Sequence, residues 1–437
     1  MLKAVSTQWV GPRTHMGPIG FRERVNLITG DNGLGKSFLL DVAWRVLTGT
    51  WAGDPPIPRF DVDLLAQFKT DDLPAAAVAG HWARRNCENT WHGSIFDFET
   101  FRWHKGGRPD RPEIILYYRV DGDFLLMDSW QMDWYHLPRA KKRKQGAGSM
   151  LRIRPNEAWN GIRASNGNAL CRGLIEDWIT WQCTNSPEFE LLTRVLGLLS
   201  PPGLEKLIPG EPTPAPWLRD RRLLPTIDLP YGRVPVMLAS AGMQRILMLA
   251  YLLMWSWEGH LRACQLIRRE PERSIVVLLD EPERHLHPRW QRTLVPSLLE
   301  AVGALRNAPD VQLLISTHSP LVLSSMEPIF DASKDQLIEL SLDEQTGQVD
   351  INSPEWTTRG DVNAWLVSDT FGLRQARSVP AEIAIEAAKR FMGGDASKNP
   401  SHLQTREQIH GELARLLGDV DPFWPRWIVT TEMENSQ

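Results

Sequence analysis

The chain has 437 residues, 42% of them apolar, which is enough to bury cores in two or three domains. Its formal charge of −4 excludes a molecule-wide cationic grip on nucleic acid. Four widely spaced cysteines (Cys87, Cys171, Cys183, Cys264) without a C-x-x-C exclude a dense disulfide framework. No leader pattern opens the chain and the strongest apolar helical stretch, 246–257, is too short for a bilayer, so a cytoplasmic enzyme is expected.

The first element in chain order is an apolar strand over 25–29. It runs into Gly30-Asp31-Asn32-Gly33-Leu34-Gly35-Lys36-Ser37, and a helix begins at Phe38. This is the pattern G-x-x-x-x-G-K-[S/T] in its strand-loop-helix setting. Glycines let successive backbone N–H groups turn inward around phosphates, and the helix presents its positive N-terminus to the same anion. Residues Gly30 to Ser37 with Phe38 are therefore the expected nucleoside-triphosphate set, Lys36 reaching the β/γ-phosphates and the Ser37 hydroxyl ligating Mg²⁺.

Residues 49–238 are interposed before the next motif. Apolar runs 114–120 and 124–127 flank Asp121-Gly122, a strong hairpin signal, and helical patterns follow at 173–181 and 188–199. Pro-rich loops are expected at 201–202 and 209–216. Arg139-Ala140-Lys141-Lys142-Arg143-Lys144 packs five positive charges into six residues, with Trp134 and Tyr135 just upstream. Most such runs are solvated loops; contact with nucleic-acid phosphates is the alternative. Core packing is the default for the insert's tryptophans (Trp82, Trp91, Trp103, Trp130, Trp134), and Gln67 is a candidate for a loop coupling Mg²⁺ to the accessory region. No heptad is sustained, so a long coiled-coil arm is not expected.

Ala239-Ser240-Ala241-Gly242-Met243-Gln244-Arg245 opens an apolar helix. The run 274–279 then reads as a strand buried on both faces, ending in Asp280-Glu281. Carboxylates at that end of a parallel strand lie where α/β sheets place ligands, so Asp280 is expected in the Mg²⁺ shell and Glu281 on the attacking water. Asp280-Glu281-Pro282-Glu283-Arg284-His285-Leu286-His287-Pro288 precedes a helix, and a further strand at 311–315 meets Ser316-Thr317-His318-Ser319-Pro320. His285 and His287 offer too few ligands for a zinc site.

This order of motifs resembles the ABC-type ATPase heads, in the branch that contains RecF, the SMC-like proteins, the OLD ATPases and ATPase subunits of bacterial anti-phage systems. The phrases D-E-P-E-x-x-L-H-P and S-T-H-S-P carry the resemblance. It implies an α/β P-loop fold of ABC-ATPase type, split by an insert with an antiparallel hairpin and helices, with a C-terminal helical region. Ser240 and Gly242 then belong to a signature motif that contacts the γ-phosphate of ATP held by a second copy, in a head-to-tail dimer. His318 becomes the switch histidine that hydrogen-bonds the γ-phosphate. Ala241 and Met243 depart from the transporter form of the signature, and Ser240 as a plain helix cap is the simpler reading.

The motifs divide the chain into a first nucleotide-binding part (1–48), the insert (49–238), a second nucleotide-binding part (239–325) and a C-terminal, mainly helical region (326–437). In the last, helices are expected at 378–391 and 409–417, before Asp421-Pro422-Phe423-Trp424-Pro425-Arg426-Trp427, a tail expected to pack on its own domain. A second nuclease domain would show a glutamate after one apolar strand and an Asp-x-Asp after another; neither pattern occurs in 326–437. The chain thus resembles stand-alone ATPases of two-gene defence modules, Septu or PARIS, whose effector, a nuclease, is a separate protein. Rival expectations are a RecF-like repair ATPase that binds DNA directly and an ATP-locked oligomer with little hydrolysis.

Overall fold

The computed structural model describes residues 1–8, 10–12, 15–56, 77–84, 87–97, 102–105, 114–128, 150–163, 167–203, 206–215, 221–271 and 273–434. In chain order its strands are β1 (Leu2–Gln8), β2 (His15–Gly20), β3 (Val25–Gly30), β4 (Ala77–Arg84), β5 (Cys87–Asp97), β6 (Arg102–Lys105), β7 (Ile114–Tyr118), β8 (Phe124–Asp128) and β9 (Leu151–Ile153). They continue with β10 (Ile162–Arg163), β11 (Ala169–Cys171), β12 (Ile208–Pro214), β13 (Leu223–Leu229), β14 (Gly232–Pro235), β15 (Ser274–Asp280), β16 (Asp310–Ser316), β17 (Asp335–Asp343) and β18 (Gln348–Asn352). The α-helices are α1 (Lys36–Thr48), α2 (Pro155–Asn160), α3 (Leu174–Cys183), α4 (Pro187–Leu199), α5 (Ala241–Leu266), α6 (Pro288–Gln291), α7 (Leu294–Gly303), α8 (Pro320–Met326), α9 (Val362–Leu366), α10 (Val379–Met392), α11 (Arg406–Leu416) and α12 (Trp424–Glu434). This is a mixed α/β fold with its phosphate loop between β3 and α1.

Eight strands form the main sheet in the order β18-β17-β3-β16-β15-β7-β8-β9. The five central ones, from β17 to β7, run parallel, while β18, β8 and β9 add antiparallel edges. Parallel strands of this kind are covered on both faces, which is why Ile275 to Asp280 are all buried. The register sets Ser316 opposite both Ile28 and Asp280, so β3, β15 and β16 end level and deliver their loops to one edge.

Helix α1 lies on one face of this sheet. Its Leu40, Ala43, Trp44 and Leu47 are buried together with Ile28, Tyr117, Leu278 and Leu314 of the main sheet and with Leu2, Val5 and Ile19 of a second, antiparallel sheet, β2-β1-β4-β5-β6. Burying a side chain of this size is worth roughly 1.5–3 kcal/mol, so the helix that follows the phosphate loop is held from both sides. Helix α5 packs on β7 and β8. It is apolar nearly all round, as a helix enclosed by its own chain should be.

Three features differ from the sequence expectation. The Asp121-Gly122 hairpin forms, but β7 pairs parallel with β15, so it extends the main sheet instead of standing apart. Residues 208–214, expected as Pro-rich loop, make strand β12 at the edge of the sheet β12-β13-β14, with an irregular register between Gly210 and Thr213. Proline is tolerated there because an edge strand need not donate along its outer side. After α8, β17 and β18 join the main sheet beside β3. Compactness accordingly divides the chain at Gly360, into Met1–Gly360 and Asp361–Gln437, later than the motif order alone suggests.

The second unit is helical. Ala384, Ile385 and Ala388 of α10, Ile409 and Leu413 of α11, and Phe423 and Trp427 form its core. The aromatic tail is therefore a buried part of its own unit, and Trp424 begins helix α12 with Pro425 in its first turn, where a missing N–H costs nothing. Among the described residues no helix is long and apolar enough to cross a membrane, and Cys171, Cys183 and Cys264 are free thiols.

Candidate nucleotide site

Gly30, Gly33 and Gly35 have φ of 135°, 81° and 99°, a region L side chains rarely enter. At Gly30 space is also decisive, because a Cβ would lie 2.1 Å from the Leu340 carbonyl oxygen. The loop is pinned from inside by Leu34, which is buried in the core with α1, while Asp31, Asn32 and Gly33 are exposed. Helix α1 starts without a side-chain cap and without an acidic residue in its first turn. Its first N–H groups and positive end thus face the loop without a cap or an acidic residue of the helix's own.

The Lys36 Nζ donates to the carbonyls of Gly30 and Asp31, both at 2.8 Å. Burial pulls this amine below its ordinary pKa, and the charges of Glu281, Asp31 and Asp280 oppose that pull. The Ser37 hydroxyl donates to Asp280 Oδ1 at 3.0 Å, and the Ser316 hydroxyl donates to the same oxygen at 2.6 Å. Glu281 follows in the left-handed region with φ 45°, its N–H held by Ser316 Oγ at 3.0 Å. That strain is the local reason its carboxylate leaves the strand axis and ends with Oε1 3.4 Å from His318 Nε2. His318 is pushed below the usual histidine range by burial first and Lys36 second, which favours its neutral imidazole.

The structure thus brings Lys36, Ser37, Asp280, Glu281 and His318 to one edge of the sheet. Phe38 is placed differently: its ring packs on Gly11 and the core, leaving only its backbone N–H toward the helix N-terminus. Ser240 is exposed at the N-terminus of α5 and caps it, accepting from Met243 N at 3.3 Å. Gly242 is buried against the turn after Glu281, where a Cβ would stand 2.7 Å from the His285 carbonyl. His287 caps α6 by accepting from Arg289 N at 3.2 Å. Gln67, the basic run Arg139 to Lys144, and Trp130, Trp134 and Tyr135 lie outside the described residues, as do the side chains of Trp82, Trp91 and Trp103.

Some residues at this edge were assigned no role from the sequence, although Glu283 lies within the D-E-P-E phrase. Arg245, buried one turn beyond Ser240, donates to the Glu281 carbonyl at 3.1 Å and lies 4.8 Å over the Tyr118 ring. Asp41, one helical turn after Ser37, pairs with Arg119 of the β7–β8 turn at 3.1 Å, yet burial raises its carboxyl to about 6. Glu283 is buried behind His318. Helical spacing from Ser37 and Ser240 would have reached the first two, but their residue types alone point to no chemistry.

Residues 228–324 match the family described as "AAA domain, putative AbiEii toxin, Type IV TA system". Over 51 residues, 12% of this chain, it is 45% identical to "Retron Vc95 probable ATPase" of Vibrio cholerae serotype O1 biovar El Tor, covering 9% of that protein. It is 42% identical over 52 residues to "Septu protein PtuA" of Bacillus mycoides (strain KBAB4), 12% of this chain and 6% of that one. With "Retron Ec83 probable ATPase" of Escherichia coli the figures are 28% over 100 residues, 23% and 15%. The matched stretches are therefore a small part of these relatives. Among solved structures, the SMC head domain from Thermotoga maritima aligns at TM-score 0.40 and 16% identity, over 81% of this chain and 99% of that one. Over residues 228–324 the chain thus matches an AAA-domain family, and in short stretches it is similar to two retron probable ATPases and to the Septu protein PtuA.

Proposed function

We propose that the chain binds ATP with Mg²⁺ between the phosphate loop and the end of β15, and hydrolyses it when two copies meet head to tail. One observation carries this reading: a hydroxyl and a carboxylate 243 positions apart in the sequence, Ser37 and Asp280, meet at 3.0 Å beside a glutamate at positive φ and a histidine 3.4 Å from it. The donor set fits a hard divalent cation, which takes hydroxyl and carboxylate oxygens. When bound, Mg²⁺ supplies charge to the leaving phosphates without proton exchange. Lys36, now satisfied by two loop carbonyls, can exchange them for phosphate oxygens with little cost, because its amine is already desolvated and held in place. Glu281 orients a water and accepts its proton, and the neutral His318 can donate through Nε2 to an oxygen in front of it. Ser240, exposed at the N-terminus of α5, offers its hydroxyl and the helix end to a second copy's nucleotide, with Gly242 buried just behind it to let that end pack close.

The resemblance to ATPase subunits of anti-phage systems extends this to a wider reading, in which the chain is a sensor and scaffold and a separate protein, a nuclease, does the damage; the relatives' names support its ATPase part. The test is ATP turnover and oligomeric mass of the purified chain, wild type beside Glu281→Gln, with and without ATP·Mg²⁺. Turnover that collapses in the variant, with ATP-driven dimers, is expected. An ATP-filled oligomer with negligible turnover in both would replace the hydrolytic reading with a nucleotide-held scaffold. Salt-dependent duplex binding, lost on neutralising Lys141 to Lys144, would instead favour direct action on DNA.

A further inference from the structure

Glu283, two residues beyond Glu281, is 7% exposed. Its Oε1 accepts from the Thr317 hydroxyl at 2.6 Å and from the His318 backbone N–H at 3.0 Å. The same Thr317 hydroxyl accepts from Ser319 N at 3.0 Å, so one carboxylate oxygen fixes three consecutive residues of the loop after β16. The other oxygen, Oε2, is buried and has no hydrogen-bond partner. Burial raises this carboxyl above its ordinary range, with Glu281 adding to the effect.

For stability alone this is a poor choice of residue. A buried carboxyl with one bare oxygen carries a desolvation cost, and an apolar side chain of similar volume is commonly neutral or better at such a site. What the carboxyl provides is geometry. The loop's other tethers hold its flanks: Thr317 N donates to the Ile28 carbonyl at 2.9 Å and Ser319 Oγ to Gln291 at 2.7 Å. Among the described residues it is Glu283 that holds the His318 backbone N–H, and it reaches that backbone from the turn that also carries Glu281.

We propose that Glu283 is a positioning residue, which locks the His318 backbone to the turn after β15 so that the imidazole and the Glu281 carboxylate face the same reacting centre. This rests on the proposed hydrolysis for its consequence but on geometry for its existence. Removing the clamp frees His318 to rotate away without touching the phosphate loop, so turnover falls while ATP binding persists.

The experiment compares the full chain with Glu283→Ala and Glu283→Gln by kcat, KM, ATP affinity and histidine NMR titration with ¹³C-labelled imidazoles. In Glu283→Ala, kcat is expected to fall about tenfold or more with ATP affinity within about twofold, as for a lost positioning contact. In Glu283→Gln the amide oxygen still accepts from both donors and most of the turnover returns. The His318 resonance adds a readout that a merely structural role would not move. It should titrate below the usual histidine range in wild type and Glu283→Gln, and return toward that range in Glu283→Ala as the ring leaves its buried place beside Lys36. Glu283→Ala as active as wild type, or Glu283→Gln as inactive as Glu283→Ala, would overturn the assignment. Should wild type bind ATP but show no turnover, the hydrolytic reading falls, and the clamp stands or falls on the His318 titration alone.

Discussion

The two ends of the same parallel strands are built on opposite rules. At the N-terminal end, Asp335 is fully buried and accepts from Arg24 through Nε at 2.9 Å and Nη2 at 2.5 Å, from Val25 N at 3.1 Å and from Asp331 N at 2.9 Å. Gln312, also buried, bridges the Leu2 N–H and carbonyl and the Arg22 carbonyl, while Asn26 bonds Arg22 and Leu313. Every one of these side chains ties β1, β3, β16 or β17 to a neighbour. At the C-terminal end, Lys36 leans on carbonyls, Glu281 and His318 approach to only 3.4 Å, Glu283 leaves an oxygen bare, and Glu281 and His285 sit at positive φ. A closed polar network stabilises one edge, whereas the other keeps charged groups strained or short of partners, in keeping with the nucleotide site proposed there.

The comparison breaks most visibly if each edge is mutated in turn. Lys36→Met should weaken ATP binding about a hundredfold, close to 3 kcal/mol, the scale of a hydrogen bond made by a charged donor. Its melting temperature without nucleotide should move little, because the two carbonyls it leaves lie in the partly exposed loop. Equilibrium binding of a fluorescent ATP analogue beside a thermal melt checks both halves. At the opposite edge Asp335→Ala should do the reverse. It strands the Val25 N–H and the Arg24 guanidinium, which is 31% exposed and can partly rehydrate, so a loss of about 3 kcal/mol is expected in denaturant unfolding. ATP affinity per folded molecule should stay at the wild-type value; a parallel loss of affinity would mean the two edges are not independent.

How much of this was legible beforehand follows from the range of each interaction. The phosphate loop, Asp280-Glu281 and His318 are local patterns, since each needs only a strand, a turn and a residue type in sequence, and the structure gathers them. That β16 lies between β3 and β15 is not local: parallel pairing over nearly three hundred positions leaves no periodic trace. The run at 335–340 carries Leu337, Ile338 and Leu340 on both faces of a buried strand, broken by Glu339, and reads as neither an alternating strand nor a helix. Strand β12 was hidden by its prolines. Asp41, Arg119 and Arg245 look like ordinary surface charges until a distant strand end arrives beside them.

Asp41 offers a finer test, because it sits on α1 one turn beyond Ser37 and pairs with Arg119 of the β7–β8 turn. Its folded carboxyl titrates at about 6 against an unfolded value near 3.8, raised chiefly by burial, with Arg119 opposing. The folded chain therefore holds this proton more tightly than the unfolded chain does. The stability that comes with the protonated form is fully present below about pH 4 and is lost as pH rises to about 6. Asp41→Asn carries no such proton, so relative to wild type it should gain on the order of 2 kcal/mol between pH 4 and pH 7. Melting both proteins across that window checks the sign. An identical pH dependence would show that Arg119 outweighs burial and that Asp41 is an ordinary ion-pair partner.

The smallest effect sharpens the comparison best. Glu281 at φ 45° pays for its position with left-handed strain of about 1–2 kcal/mol, a cost glycine would not bear. Asn185 and Asn307 share that region at φ 47° and 54°, but asparagine is a residue type that enters it readily, and neither sits at a reacting edge. Glu281→Gly removes the strain and adds unfolded-state freedom of about 0.4–1 kcal/mol, so the folded chain should come out level or more stable by up to about 1 kcal/mol. Turnover should be lost as completely as in Glu281→Gln. A variant that gains stability while losing all hydrolysis would mean that the strain at the end of β15 serves the carboxylate's placement and nothing in the fold. A clear loss of stability would place Glu281 among the residues that hold the strands together, and the contrast between the two edges would then no longer separate function from fold.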